Sequence, residues 1–162
     1  MKTIKLGSRK YPGMVTLVDD EDFERVDQFK WHVGKDKNIY YAKRNIAISE
    51  EKHTLQKLHR FIINITDPKI QIDHKNGDSL DNRKENLRLA TGQENSRNRK
   101  KRNDNTSGYK GVSWNRERQK FVASIKFNSK ILFLGYFDTA EEASSVYETK
   151  ALKEFGEFYR KE

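Results

Sequence analysis

The sequence predicts an α+β protein made of two small domains, and three observations lead to this fold class. Only 34% of the 162 residues are hydrophobic, so the core is modest or divided between two units. Short strand patterns outnumber helical ones along the chain. A polar stretch at 103–108, "NDNTSG", has the composition of a linker and separates two distinct hydrophobic patterns.

The first part of the chain favours short strands with little helix. The segment "MVTLV" at 14–18 has a strand pattern, and "DEDFERVDQFK" at 20–30 is weakly helical with acidic residues in its first turn. Further strands are predicted at "IYYAKR" and "HTLQKLHRFIIN", the second passing into a short helix near Leu58. These segments form a β-rich N-terminal extension.

The segment that follows predicts a strand, a loop and a return strand. "KIQIDH" ends on the pair Asp73 and His74, and "NLRLAT" is the return strand. Asn76 and Gly77 favour a type I′ hairpin turn between them, because both residues tolerate the positive φ that this turn requires.

A helix is predicted directly after the return strand. Thr91 and Glu94 have the spacing of a capping box, so the helix begins after Thr91. It carries Asn95 within its first turns, and this side chain is expected to point back across the hairpin.

The pattern after the linker predicts a three-stranded antiparallel sheet covered by one helix. "KFVASIKF" alternates, and one face carries Phe121, Ala123, Ile125 and Phe127. "NSK" turns the chain into the next strand, "ILFLGYF". A helix then follows a second capping box at Thr139 and Glu142, and Gly156 fits its C-terminal cap.

The charge balance predicts a polyanionic partner, either nucleic acid or an anionic membrane surface. The net charge is +9 and the isoelectric point is about 9.6. Five of the six residues from Arg97 to Arg102 are basic, whereas residues 19–27 hold six acids and one base. No apolar run approaches the ~20 residues that cross a bilayer, so no membrane span is expected.

The residue types present limit any metal site to nitrogen and oxygen ligands. Cysteine is absent, which excludes disulfides and thiolate zinc sites. A carboxylate such as Asp73 and a side-chain amide oxygen suit Mg²⁺ or Mn²⁺, and His74 could accept a proton from water near neutral pH. Metal and base together suffice for phosphodiester hydrolysis. The residues alone leave a nuclease and a nucleic-acid-binding hairpin as open alternatives.

The segment "IDHKNGDSLDNRKENLRLATGQENSRNR", residues 72–99, resembles the HNH endonuclease family, in the subgroup common in phages and mobile introns. The upstream "KLHRFI" resembles the same subgroup. The resemblance implies a ββα-metal fold with one divalent ion, Mg²⁺ or Mn²⁺. It implies His74 as general base, Asp73 and Asn95 as metal ligands, and Asn86 as a brace for the loop and the histidine. Because Asn95 stands where other members have His, weaker metal binding is expected.

Basic residues in and after this segment are candidates for contacts with DNA phosphates. They are Arg83, Arg88, Arg97, Arg99, Lys100, Lys101 and Arg102. The alternative for the basic run at its end is a solvated helix end followed by a linker.

Residues 107–156 resemble the Apetala/ethylene-response-factor DNA-binding domain of plants, which also occurs fused to HNH nucleases. The matching pieces are "YKGV", "FVASIK", "LGYFDTAEEA" and "ALKEFG". In that family the sheet lies in the major groove, which implies one face toward DNA and one toward the helix. The residues implied to face the helix are Phe121, Ala123, Ile125, Leu132 and Leu134. Those implied to be available to DNA are Lys110, Trp114, Arg116, Lys126 and Phe133.

The sequence departs from the plant pattern on the implied DNA face. Ser113, Ile131 and Phe133 stand where plant members have Arg and Trp, so base readout by bidentate Arg is thinner. For Trp114 and Phe133, the alternative is a place in the core of the small domain.

The sequence therefore predicts a metal-dependent endonuclease that binds double-stranded DNA. The expected domains are an N-terminal extension with the HNH unit at 1–102 (motif core 57–99), a linker at 103–106 and a DNA-binding domain at 107–162. A monomer in the cytoplasm is expected, in the bacterial host if the gene is carried by a phage or intron. The alternatives are a DNA-binding transcriptional regulator with an inactive HNH unit, and an RNA-directed nuclease or binding protein.

Overall fold

A computed structural model describes residues 1–161 of the chain and divides it into two compact units. The first unit is Met1–Asn95, and the second begins at Ser96. Both mix α-helices with small antiparallel sheets, as expected for an α+β protein. None of the helices in residues 1–161 is long and apolar enough to cross a membrane.

The first unit contains three small antiparallel sheets and two short helices. The sheets pair β1 with β2, β3 with β4 and β5, and β6 with β7. The bounds are β1 Lys2–Lys5, β2 Val15–Val18, α1 Asp20–Asp27, β3 His32–Asp36, β4 Ile39–Ala47, β5 His53–Lys57, α2 Leu58–Ile63, β6 Gln71–His74 and β7 Leu87–Ala90. A third helix, α3 Gly92–Arg97, follows β7.

Two strands of this unit, β1 and β3, were not predicted from the sequence. β1 is four residues long with one buried side chain, and β3 reads "HVGKD", a sequence with a single large apolar residue. Both strands are too short and too polar to produce a period-two signal. The predicted strand at 14–18, the helix after it and the helix starting at Leu58 are all observed.

One core holds the first unit together and fixes the sheet that carries the Asp-His pair. Its buried residues come from every sheet and from α1 and α2, and include Val18, Leu58, Ile72 and Leu87. Ile72 on β6 directly precedes Asp73, and Leu87 on β7 is the cross-strand partner of His74, so both strands are anchored in the core beside the polar pair. Burying each such side chain contributes about 1.5–3 kcal/mol.

The connection between β6 and β7 differs from the predicted type I′ turn. It spans residues 75–86, and Asn76 does not adopt a positive φ, whereas Gly77 does at 70°. The Gly77 N–H donates to the His74 carbonyl at 2.8 Å, which closes a turn at the start of a long loop. The type I′ prediction is wrong because side-chain contacts within this loop, described below, override the local preference of the Asn-Gly pair.

The second unit is a three-stranded antiparallel sheet with one long helix against it. The bounds are β8 Val112–Asn115, β9 Lys120–Phe127, β10 Lys130–Phe137 and α4 Ala140–Phe155. The Thr139 hydroxyl accepts from the Glu142 N–H at 3.2 Å at the start of α4, and Gly156 caps its end with φ 53°.

The alternating pattern of β9 produces the expected inner face. Ala123 and Ile125 are fully buried beneath α4, and Phe121 packs beside them. Leu134 also packs against this core. Leu132 is the cross-strand partner of buried Ile125 and lies on the same inner face, as predicted, but it is 46% exposed. The helix does not cover this end of β10, and the pairing register shifts between Phe133 and Gly135.

Candidate active site

The β6–β7 pair places Asp73 directly beside Arg88. The two residues are cross-strand partners, and Arg88 Nε and Nη2 both donate to Asp73 Oδ2, at 2.9 and 2.7 Å. The side chain of Asp73 is 5% exposed and that of Arg88 is 9% exposed. A carboxylate this deeply buried needs such a cation or a metal ion to balance its charge.

His74 follows Asp73 and is held through a chain of buried polar groups. Its Nε2 lies 3.2 Å from Asn82 Oδ1, and Asn82 Nδ2 donates to Thr16 Oγ1 at 2.7 Å. Thr16 Oγ1 in turn donates to the Leu80 carbonyl at 2.6 Å. Burial lowers the pKa of His74 below its ordinary value, although the hydrogen bond with Asn82 and the nearby Asp73 act in the opposite direction.

Asn86 braces the loop between the two strands. Its Oδ1 accepts from the Asn76 N–H at 2.9 Å, and its Nδ2 donates to the Asp81 carbonyl at 2.7 Å. Its backbone carbonyl accepts from the Lys75 N–H. These bonds draw the two ends of the loop together and account for the observed path of the chain after His74.

Asn95 lies on α3, which begins after Thr91 as the sequence predicted. Thr91 and Glu94 form the capping box in both directions, with the Glu94 N–H donating to Thr91 Oγ1 and the Thr91 N–H to Glu94 Oε2. Asn95 Nδ2 then donates to Gln71 Oε1 at 3.1 Å, which ties the helix to the strand that carries Asp73. Its Oδ1 receives no hydrogen bond from residues 1–161.

A second histidine lies against His74. The ring of His59, on α2, meets the ring of His74 edge-to-face at 5.2 Å and that of Tyr41 at 5.7 Å. Burial, with smaller contributions from His74 and nearby cations, lowers the pKa of His59 to about 2. His59 is therefore a neutral packing partner for His74 at physiological pH.

The acidic run at 19–27 has a structural role in the same loop. Asp19 Oδ2 accepts from the Lys84 N–H at 2.8 Å, and Lys84 Nζ reaches Glu21 at 2.5 Å and Asp22 at 3.1 Å. α1 thus holds the loop two residues before Asn86. Earlier in the loop, the Leu17 N–H donates to the Leu80 carbonyl and the Asn82 N–H donates to the Leu17 carbonyl.

Two of the arginines expected to contact DNA are engaged within the protein. Arg88 pairs with Asp73, as described above. Arg83 donates to both carboxylate oxygens of Asp81, at 2.8 and 2.7 Å, and also reaches Glu85. This pairing lowers the pKa of Asp81.

The basic run is largely solvent-facing, but its members differ in their contacts. Arg99 and Lys100 are exposed. Lys101 Nζ donates to the Gly108 carbonyl, and Arg102 pairs with Asp104 at the surface. Arg97 is half-buried, with its guanidinium 4.4 Å from the centre of the Phe155 ring and 5.8 Å from that of Phe127. These last contacts indicate that Arg97 packs against the aromatic rings of the second unit.

The residues expected on the DNA side of the second unit do not all share one face. Lys126 and Phe133 lie on the outer face, because they alternate with buried Ile125 along the paired strands. Trp114 lies on the inner side with Val112, where its ring contacts Phe121 edge-to-face and stays 42% exposed. This position favours the alternative of a place beside the core of the small domain over contact with DNA.

The remaining two candidates lie away from the strands. Lys110 Nζ donates to the Arg160 carbonyl at 2.8 Å, and Arg116 is exposed in the turn between β8 and β9. The outer face has two members that the sequence did not reveal. Tyr136 packs against Phe133 at 4.9 Å, and the guanidinium of Arg118 lies 4.8 Å above the Tyr136 ring.

A basic cleft opens in the first unit, away from the Asp-His pair. It has a volume of about 800 Å³ and is lined by residues that include Arg9, Lys30, Trp31 and Arg44, with no acidic side chain among the described lining residues. Arg44 stacks 3.6 Å above the Phe29 ring, and desolvation lowers its pKa. Such a surface complements a polyanion.

Sequence reasoning missed the residues that act on the site from a distance. Thr16 and Asn82 are almost fully buried, at 0% and 1% exposure, yet they lie 66 positions apart in the chain. His59 stood in the recognisable segment "KLHRFI" without an assigned role. A buried Thr in a short strand gives no local pattern, so only Asn82, within the motif itself, carried a usable signal.

Comparison with known proteins identifies relatives of the chain. A family model described as "HNH endonuclease" matches residues 66–97, which include Asp73, His74, Asn86 and Asn95. An uncharacterized HNH endonuclease of Acanthamoeba polyphaga mimivirus, L560, is 30% identical over 151 residues, covering 90% of this chain and 73% of that protein. Protein 3.8 of Escherichia phage T7 is 38% identical over 79 residues, covering 49% of this chain and 65% of that protein. No solved structure gives a significant match.

Proposed function

This chain belongs to the HNH endonuclease family, and we propose that it hydrolyses phosphodiester bonds in duplex DNA with the aid of one divalent metal ion. The observation that carries the proposal is the buried pair Asp73 and His74 at the end of β6, with Asn95 returned to the same strand by α3. We assign β6, β7 and α3 to the ββα-metal fold of the family on this arrangement.

The residues around Asp73 have donor chemistry that fits a hard divalent cation. HNH endonucleases generally use such an ion. Asp73 would supply a carboxylate oxygen and Asn95 its Oδ1, which suits Mg²⁺ or Mn²⁺. Within residues 1–161, no three His, Asp or Glu side chains gather into a metal-binding cluster, so the proposed site rests on one carboxylate and one amide oxygen. When bound, the ion would stabilise the charge that develops on the cleaved phosphate and the departing 3′ oxygen.

His74 is the group that takes the proton from the attacking water in this proposal. Burial lowers the pKa of His74, which favours the neutral imidazole that a base requires. Asn86 holds the loop that follows, and Arg88 balances Asp73 until the cation is bound. These residues position the base and the carboxylate side by side on a strand anchored in the core.

The DNA contacts are assigned to basic surfaces of both units. The basic cleft with Arg44 and the exposed Arg99 and Lys100 would neutralise phosphates without reading sequence. On the second unit, Lys126 and Phe133 on the outer face would meet the duplex, in the manner of the Apetala-type sheet. This assigns site binding to residues 107–162 and cleavage to residues 1–102, joined by a linker at 103–106.

A plasmid-nicking assay tests the proposal directly. We expect supercoiled plasmid to be nicked or linearised in Mg²⁺ or Mn²⁺ and left intact in excess EDTA. Full activity in EDTA would contradict the metal requirement. Tight DNA binding with no cleavage in either ion would favour the alternative, a DNA-binding regulator with an inactive HNH unit. Stronger binding and cleavage of duplex RNA than of duplex DNA would favour an RNA-directed protein.

A further inference from the structure

The N-terminal extension reaches the proposed catalytic histidine through a single buried chain of hydrogen bonds. The chain runs from His74 Nε2 to Asn82 Oδ1 at 3.2 Å, from Asn82 Nδ2 to Thr16 Oγ1 at 2.7 Å, and from Thr16 Oγ1 to the Leu80 carbonyl at 2.6 Å. Every side chain in it is at most 7% exposed.

The direction of this chain follows from the hydrogens that each group possesses. A carbonyl can only accept, so the Thr16 hydroxyl uses its one proton on Leu80 and must accept from its other partner. The group facing Thr16 is therefore the NH₂ of Asn82, and its carbonyl oxygen faces His74. The oxygen accepts, so His74 Nε2 carries the hydrogen and Nδ1 keeps the lone pair.

The backbone fixes this chain as firmly as the side chains do. The Leu17 N–H donates to the Leu80 carbonyl at 2.8 Å, and the Asn82 N–H donates to the Leu17 carbonyl at 2.9 Å. Leu17 and Asp81 form an isolated parallel bridge, so residues 80–82 run beside β2 and bring the side chain of Asn82 to that of Thr16. The amide of Asn82 cannot rotate without losing its bond to Thr16.

This role is separate from that of Asn86. The amide of Asn86 is occupied by the Asn76 N–H and the Asp81 carbonyl, so it shapes the loop. Asn82 is the side chain that meets the imidazole ring. Asn86 therefore holds the backbone of the loop, and Asn82 holds the imidazole ring of His74.

We propose that Asn82, oriented by Thr16 of the N-terminal extension, is a positioning residue that fixes His74 as the Nε2–H tautomer and leaves Nδ1 as the proton acceptor. The proposal rests on the proposed function only in naming His74 as the base. The tautomer itself can be measured without any cleavage. It also gives the N-terminal extension a role in catalysis beyond packing.

Long-range ¹H–¹⁵N spectra of the full-length protein test the tautomer directly. Assigned by comparison with His74→Gln, the wild-type His74 ring should show a protonated Nε2 and an unprotonated Nδ1. A wild-type ring protonated at Nδ1 overturns the proposal, and this result needs no folded variant. The measurement also stands if His74 proves unnecessary for cleavage, which would contradict the proposed function alone.

Two Thr16 variants of nearly equal size test the positioning by its effect on rate. Thr16→Val removes the hydroxyl while keeping the shape, and Thr16→Ser keeps the hydroxyl as a matched control. For Thr16→Val we expect a mixed or reversed His74 tautomer and kcat reduced by about tenfold or more at unchanged KM. Thr16→Ser should keep the wild-type tautomer and rate.

Asn82 variants provide the conservative rescue. Asn82→Leu removes both bonds and should lower kcat at least as much as Thr16→Val. Asn82→Asp loses the NH₂ that donates to Thr16 but keeps an acceptor facing His74, so Nε2 should stay protonated. Wild-type kcat and tautomer in both Thr16→Val and Asn82→Leu, with folding checked by circular dichroism, would overturn the proposal. If Asn82→Leu fails to fold, the Thr16 pair decides by the same readouts.

Discussion

Arg88 donates two hydrogen bonds to a single oxygen of Asp73, from directly across the β6–β7 pair. The arginine therefore competes with any cation for the proposed metal ligand. Hydrogen bonds to charged groups contribute about 1.5–3 kcal/mol. We expect Arg88→Met to bind Mn²⁺ in the absence of DNA about tenfold more tightly than the wild type, measured by electron paramagnetic resonance.

Arg83→Met is the matched control for this competition. It removes the same charge from the same region of the fold, but from a partner of Asp81 and not of Asp73. An equal gain in Mn²⁺ affinity in both variants would show a general electrostatic effect, and direct competition would then be wrong. Asp73→Ala should abolish both Mn²⁺ binding and metal-dependent cleavage.

His74→Ala should lower the cleavage rate by roughly 10²–10⁴, the usual contribution of a positioned general base. DNA binding should stay nearly intact, because the His74 ring is buried and burial disfavours its charged form. Single-turnover nicking and gel-shift assays would measure the two effects. The control is His53→Ala, which changes an exposed histidine on β5. Cleavage by His74→Ala at the wild-type rate would show that His74 is not the general base.

Stability should fall as the pH decreases below about 6.5. Burial lowers the pKa of His59 in the folded state to about 2. Below about pH 6.5, His59 is therefore protonated in the unfolded chain but stays neutral in the folded protein. The resulting loss in unfolding free energy should be on the order of 2 kcal/mol at about pH 4.5. Carboxylates with lowered pKa, such as Asp36 and Asp81, contribute mainly below about pH 4.

Urea unfolding of the wild type and of His59→Phe at about pH 7.5 and 4.5 checks this prediction. The phenylalanine keeps the ring contacts with Tyr41 and His74 and cannot take up a proton. The variant should lose less stability on acidification than the wild type. His53→Gln, at an exposed position, should follow the wild type, and an identical pH dependence in all three proteins would argue against the role of His59.

DNA affinity should decrease steeply with salt, and the basic run should account for part of the slope. Changing Arg99, Lys100, Lys101 and Arg102 to Gln should flatten the plot of log affinity against log salt by about 0.9 for each DNA phosphate that these side chains neutralise. The exposed Lys52 and Lys153, changed to Gln, form the control. An unaltered slope in the four-residue variant would identify the run as a solvated linker.

Separating the two units should separate cleavage from site preference. A fragment ending near Asn103 keeps Asp73, His74, Asn86 and Asn95, and should nick DNA at high protein concentration with little preference. The fragment 106–162 should bind duplex DNA without cutting it. Because specific binding commonly exceeds non-specific binding by ~10³ or more, cleavage mapping would detect the reduced preference. Retention of the same site and affinity by the first fragment would place recognition in residues 1–102.

The local parts of the fold could be predicted from the sequence, because their signals lie within a few residues. The capping box of Thr91 and Glu94 and the alternation around Ala123 both appear as expected. The turn at Asn76 failed for the opposite reason, since its conformation depends on Asn86, ten residues away. The local turn preference of Asn76 and Gly77 was overridden by the hydrogen bond between Asn76 and Asn86, which no short sequence pattern indicates.

The motif residues of the candidate site could be identified from the sequence, but the partners of its charged side chains could not. The sequence singled out Asp73, His74 and Asn95 as the candidate site, and the structure ties Asn95 to β6 through Gln71. The same reasoning assigned Arg83 and Arg88 to DNA. Each of these arginines sits beside a buried carboxylate of its own hairpin or loop. Positive charge in a sequence says nothing about which partner it meets, because the pairing is set by register and loop path.

The contact between Thr16 and Asn82 also has a consequence for how the protein folds. These residues are separated by 66 positions, and Lys84 meets Glu21 across 63. Contacts of such long range slow folding, because a large loop must close before any of them forms. During synthesis, β1 and β2 cannot complete their contacts until the loop at 75–86 has left the ribosome. The candidate active site around Asp73 and His74 would therefore assemble only after most of the first unit has been made.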